Sequence, residues 1–185
     1  MLAGHTSESC GMRFPTYSQT WLGLGLACAS LVAASVILTV WLDLQACHLC
    51  IFQRLLFMLL AVFSLAAACS AAGWAGRLAG ILSLAAAALG VGVASYQSWL
   101  QAQPANTVSC VGGEPSLIER VVEWLGEQVP ALFLATGLCE EEDLVILGLS
   151  LANWALVVFC AFLAAGLWAL LGARRLNRFN HGGQA

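Results

Sequence analysis

The chain has 185 residues, of which 61% are hydrophobic and 9% charged, with a formal net charge of −3 and a mean hydropathy of +0.86. A soluble domain is about 45–50% apolar and about 25% charged, so this composition excludes a water-soluble fold of the same size and places the chain in a bilayer. The length suits one domain spanning 1–185, the positive charges are all Arg with no Lys, and no nucleic-acid partner is expected.

In chain order, the first apolar run covers about 21–42. It starts too late and continues too far for a cleaved signal peptide, so it reads as a retained span. A short loop over about 43–50 leads into a second run over about 51–72, and a turn carrying Arg77 leads into a third over about 78–100. The third run holds the small-residue stretch LSLAAAALGVGVAS, which lets helices approach closely in lipid. A long loop follows over about 101–144, beginning with the turn formers Pro104, Asn106, Gly112, Gly113 and Pro115. Within it, SLIERVVEWLGEQV places Leu117, Ile118, Val121, Val122 and Leu125 at helical spacing. This segment is too short to span, and it reads either as an amphipathic helix on the outer membrane surface or as a helix packed on the bundle. A fourth apolar run covers about 145–171, and the polar tail from Asn177 is expected to be loose. Each run can cross about 30 Å of hydrocarbon at about 1.5 Å per helical residue, and none contains Pro. The expected fold class is all-α, an integral membrane four-helix bundle whose long periplasmic loop carries a short amphipathic helix.

Loop charge sets the expected orientation. Arg13, Arg77, Arg174, Arg175 and Arg178 fall on one side of a four-span protein, which makes that side cytoplasmic and puts both termini there. The opposite loops hold Arg54 and Arg120 against nine acidic residues and are expected to face the periplasm.

Of eight cysteines, four fall in the outer loops: Cys47 and Cys50 in Cys-His-Leu-Cys at the mouth of the second span, and Cys110 and Cys139 in the long loop. Cys10 lies in the N-terminal tail. Cys28, Cys69 and Cys160 lie within or at the end of spans, where Cys is expected to act as a small apolar packing residue. Two cysteines three apart at a helix start can close a small disulfide ring, and the positive end of the helix stabilises a thiolate. Arg54, four residues after Cys50, shares its helix face. At the membrane boundary its guanidinium either snorkels to headgroups or stabilises a thiolate and polarises the carbonyl of a bound quinone.

A zinc site built from the four cysteines and His48 is the competing chemistry. Cys110 and Cys139 have no short ligand spacing of their own, so no metal site is expected, and His48 reads as a tuning or spacer residue. Haem attachment needs His directly after the second Cys, where Ile51 stands, and a thioredoxin-like fold needs a βαβ pattern that is missing.

Three pieces of this sequence resemble the disulfide bond formation protein B (DsbB) family: CHLCIFQR ending at Arg54, ALFLATGLC with LGLSLANW around Cys139, and the order of the parts. The resemblance implies a quinone-dependent oxidoreductase of the bacterial inner membrane. A soluble periplasmic DsbA-like dithiol would attack a Cys110–Cys139 disulfide at Cys110, and Cys139 would then attack Cys47. Cys50 would be released beside a quinone, either ubiquinone or menaquinone, and would donate to it with help from Arg54. The sequence departs from the family's usual pattern at several positions. Ala46 stands where Pro often precedes the first Cys, and Gln53 stands where an acidic residue can occur. Ser98 stands where some members carry a quinone-contacting His, and Val111-Gly112 replaces an acidic-aromatic pair. Two other readings compete. A vitamin K epoxide reductase-like enzyme usually carries its redox pair near the chain end. A non-enzymatic metal-binding or transport protein would need buried charges or His that the spans lack apart from Arg54 near a boundary.

Overall fold

The computed structural model describes residues 17–42, 45–70, 73–103, 116–133 and 145–182. Four long helices carry the fold: α1 (Tyr17–Trp41), α2 (His48–Cys69), α3 (Trp74–Gln101) and α6 (Leu151–Gly182). Each contains a stretch long and apolar enough to cross a membrane, that of α6 being Leu151–Gly172. Two short helices, α4 (Leu117–Gln128) and α5 (Pro130–Phe133), lie between α3 and α6. The architecture is the expected all-α membrane bundle. α1 packs on α2, α2 on α3, α3 on α6 and α6 back on α1, so the four helices form a closed ring.

Small residues and hydroxyls make this packing close. Gly90 of α3 faces the ring of Phe159 on α6 so tightly that a Cβ there would overlap it. Phe159, fully buried, stacks on Phe57 of α2 with centroids 4.2 Å apart. The fully buried Ser64 and Ser83 hydroxyls hydrogen-bond each other at 3.0 Å, joining α2 to α3. Side-chain hydrogen bonds of this kind hold helices together where lipid removes the hydrophobic drive. At the opposite end of the bundle from Cys47, Tyr17 donates to the Gly76 carbonyl at 2.9 Å and Ser18 to that of Ala68 at 2.8 Å. Cys28 is buried, as a packing residue should be, whereas Cys69 and Cys160 are exposed on the outside of the bundle.

α4 starts with a capping box: the Ser116 side chain accepts from Glu119 N while the Glu119 carboxylate accepts from Ser116 N. Its Val122 packs with Ile51 of α2 and Phe133 of α5, and Ile118 lies against the same cluster. Leu117, Val121 and Trp124 point away from the bundle, 82%, 41% and 59% exposed. The helix therefore uses one apolar edge to sit on the start of α2 and presents a second one outward.

The last span begins later than its apolar run suggests. Residues Val145–Ile146 and Leu149–Ser150 pair as a two-stranded antiparallel hairpin, with positive φ at Leu147 (55°) and Gly148 (81°). Two central residues of positive φ are what a tight hairpin turn with the right-handed strand twist requires. α6 then starts at Leu151, and the Ser150 hydroxyl accepts from Asn153 N at its first turn.

Candidate functional site

The start of α2 is built around a sulfur. Cys47 is its N-cap, in extended conformation, and the Cys47 Sγ accepts from Cys50 N at 3.3 Å. One helical turn on, the Cys50 Sγ lies 2.9 Å from the Cys47 Sγ. The spacing of three thus does two things: it caps the helix and puts the two sulfurs side by side at its positive end. Cys47 is buried, against Leu49, Val93 and Leu100, while Cys50 is half-buried.

Next to this pair lies a cavity of about 360 Å³, with α1 and α6 as its walls and α2 and α3 behind. The walls are apolar: Leu31, Val32 and Leu38 from α1, and Leu151, Trp154, Ala155 and Val158 from α6. Cys47, Cys50, Gln53, Arg54, Gln97 and Gln101 bring the polar groups into it. Its volume and its ratio of apolar wall to a few polar groups are those of a small-molecule site.

Arg54 is only 8% exposed, so it does not snorkel to the surface. Its Nη1 donates to the Leu132 carbonyl of α5 at 3.0 Å, and its Nη2 donates to Thr39 Oγ1 at 2.8 Å and to the Ser35 carbonyl at 3.5 Å. All three acceptors are neutral, so the guanidinium keeps its positive charge on the cavity wall. Thr39 in turn donates to the Ser35 carbonyl at 2.8 Å, and the buried Ser35 Oγ has no hydrogen-bond partner among the described residues. An unsatisfied hydroxyl on the wall of an apolar cavity is a group a carbonyl-bearing ligand can satisfy.

Of the residues singled out in the sequence, the structure gathers Cys47, Cys50 and Arg54 at one cavity. Cys110 and Cys139 lie outside the described residues, as does Cys10. Ser98 donates its hydroxyl to the Ala94 carbonyl of its own helix at 2.9 Å and is not among the lining residues. Its neighbour Gln97 occupies that position instead, 1% exposed, with Nε2 at 3.0 Å from Cys50 Sγ and 3.5 Å from Cys47 Sγ. Gln97 Oε1 accepts from Gln53 Nε2 at 2.9 Å. The available signal for this pair was an amide near one end of each of two apolar runs, an expensive placement unless the amides meet each other or a site. At the mouth of the cavity, Ser150 donates to Gln101 Oε1 at 2.8 Å, tying the start of α6 to the end of α3.

A ring of membrane-crossing helices with adjacent thiols at a helix start, facing an apolar cavity lined by Arg54, defines a multi-pass membrane protein with a paired-thiol site. Residues 17–169 match the family model described as "Disulfide bond formation protein DsbB". The chain is 43% identical over 144 residues to disulfide bond formation protein B of Dechloromonas aromatica (strain RCB), covering 76% of this chain and 84% of that protein. It is 36% identical over 172 residues to the protein of that name from Xanthomonas axonopodis pv. citri (strain 306), covering 90% and 95%. With that of Azoarcus sp. (strain BH72) it shares 36% over 148 residues, 80% and 88% of the two chains. The chain belongs to the DsbB family, as a membrane protein of disulfide bond formation with an oxidoreductase role.

Proposed function

We propose that this protein oxidises a soluble DsbA-like dithiol protein on the periplasmic side of the bacterial inner membrane and passes the electrons to a quinone, ubiquinone or menaquinone, held in the cavity beside Cys50. The observation that carries the reading is the placement of Cys50 and Arg54 on one apolar cavity wall within the bundle. A lipid-soluble oxidant can reach such a place through the bilayer.

The electron balance is simple. A thiolate of the partner's dithiol attacks the Cys110–Cys139 disulfide and the partner closes to its own disulfide; the released Cys110–Cys139 dithiol then opens the Cys47–Cys50 bond through Cys139 and closes again. Cys47 and Cys50 then re-form their bond and give up two electrons and two protons. A bound quinone supplies the acceptor for both and leaves as quinol. Arg54 would donate a charge-assisted hydrogen bond to a carbonyl oxygen, and the Ser35 hydroxyl, without a partner among the described residues, fits the same kind of acceptor. Both termini are assigned to the cytoplasm, which puts the four redox cysteines on the other face. A metal-binding reading gains nothing from this geometry, since a buried guanidinium on the same wall opposes a cation.

The deciding experiment is quinone reduction by the purified protein with a reduced DsbA-type substrate, compared with Cys47, Cys50, Cys110 and Cys139 single variants. Turnover in the native chain and its loss in each variant is the expected result. Turnover that survives loss of Cys50 would remove the reading.

A further inference from the structure

The two sulfurs of the Cys47–Cys50 pair are met from across the bundle by a side chain without charge. An amide has one donating end and one accepting end, so its orientation decides which of them a sulfur meets. Gln53, 5% exposed, engages the Gln97 oxygen through its own Nε2 at 2.9 Å. The Gln97 NH2 group is thereby turned onto the dithiol, nearest to Cys50 at 3.0 Å.

We propose that Gln97 is the hydrogen-bond donor that favours the reduced form of the Cys47–Cys50 pair, and that Gln53 is the positioning residue that keeps Gln97 in its donating orientation. The proposal rests on reading Cys47 and Cys50 as a redox pair. A sulfur that has lost its proton accepts N–H bonds about twice as strongly as a neutral one, and a low-dielectric interior widens the difference. A disulfide sulfur carries no charge and gains least. In the exchange that reduces the pair, the Cys47–Cys50 bond breaks and the attacking dithiol closes into a disulfide. Its two electrons and two protons pass to Cys47 and Cys50, and release of one proton to solvent gives the thiolate that the amide holds. The amide pair pulls this exchange forward without placing a second cation beside Arg54.

The test uses the full chain in detergent without quinone, equilibrated against dithiothreitol redox buffers, with the Cys47–Cys50 peptide quantified after thiol alkylation. Gln97→Met, close in shape but without a donor, is expected to shift the exchange equilibrium roughly tenfold toward the disulfide, about 30 mV in midpoint potential. Gln53→Met should shift it the same way by less. The double variant should match Gln97→Met alone, because Gln53 acts through Gln97. A native equilibrium in folded Gln97→Met would overturn the proposal. If that variant does not fold, an unchanged equilibrium in Gln53→Met overturns it instead. The quinone reading fails separately: native protein that shows these shifts but reduces no quinone keeps the amide pair and loses the acceptor.

Discussion

Arg54 of α2 and Leu132 of α5 are joined by a 3.0 Å hydrogen bond from Nη1 to the backbone carbonyl. The bond crosses from the helix that carries the Cys47–Cys50 pair to the short helix that precedes Cys139 in the chain. The other arm of the same guanidinium holds Thr39 of α1 at 2.8 Å. Arg54 is therefore both a cavity-wall charge and a bracket between three elements.

Those two roles separate in substitutions. Arg54→Met removes the charge and every donor, and a hydrogen bond to a charged group is worth about 1.5–3 kcal/mol. Quinone reduction is expected to fall by roughly 10- to 100-fold. Arg54→Lys keeps the charge on a single nitrogen that cannot serve Thr39 and Leu132 together, so it should fall between the two. Initial rates with a soluble quinone analogue, alongside helical circular dichroism to confirm the fold, check the ranking. A native rate in Arg54→Met would show that the guanidinium serves packing alone.

The two cysteines of the pair are not equivalent. Cys50 is half-buried and its helix position continues into Arg54 on the same face, while Cys47 is buried as the helix cap. Cys50→Ala is expected to abolish quinone reduction and to leave the bundle folded. Cys47→Ala should also remove the N-cap acceptor, at a cost of about 1 kcal/mol in stability. Thermal unfolding of the two variants in one detergent distinguishes them: an equal loss for both would contradict the capping role of Cys47.

Cys110→Ser is expected to block exchange with the soluble partner while leaving quinone binding intact. The described lining of the cavity comes from α1, α2, α3 and α6 together with Ala46, Cys47 and Ser150 at its mouth. Partner oxidation and quinone titration on the same preparation read the two steps apart. A full rate of partner oxidation would break the assigned order of the relay.

Much of this site could be read from residue spacing, because the spacing has direct geometric consequences. Cys47 and Cys50, three apart, had to sit one above the other at a helix start, and Arg54 had to follow on the same face. Gln97 was not legible in this way. In an apolar run nearly every position is compatible with either lipid or core, so periodicity does not fix which side faces inward. A shift of one residue turns the side chain by about 100°, which is the whole difference between Ser98, bonded to its own helix, and Gln97, bonded to the sulfurs. The hairpin before α6 was hidden for a related reason. VILGLSL is apolar apart from Ser150, and a short apolar run does not separate strand from helix. The decision falls to Leu147 and Gly148 and their positive φ.

The contact between Gly90 and Phe159 gives the sharpest stability prediction. A methyl group at Gly90 would overlap the Phe159 ring, which cannot withdraw without leaving its stack on Phe57 at 4.2 Å. Overpacking a close contact costs about 1–3 kcal/mol, and losing the aromatic stack about 0.5–1.5 kcal/mol more. Gly90→Ala should therefore lower the unfolding midpoint clearly. Gly166→Ala meets the end of the Leu84 side chain at 2.7 Å, which can swing aside, so its loss should be smaller. Gly92→Ala meets nothing within 4 Å and should be neutral or slightly stabilising through helix propensity. Thermal unfolding of the three variants checks the order, and a Gly90→Ala protein as stable as Gly92→Ala would mean that α3 and α6 are not held at this distance.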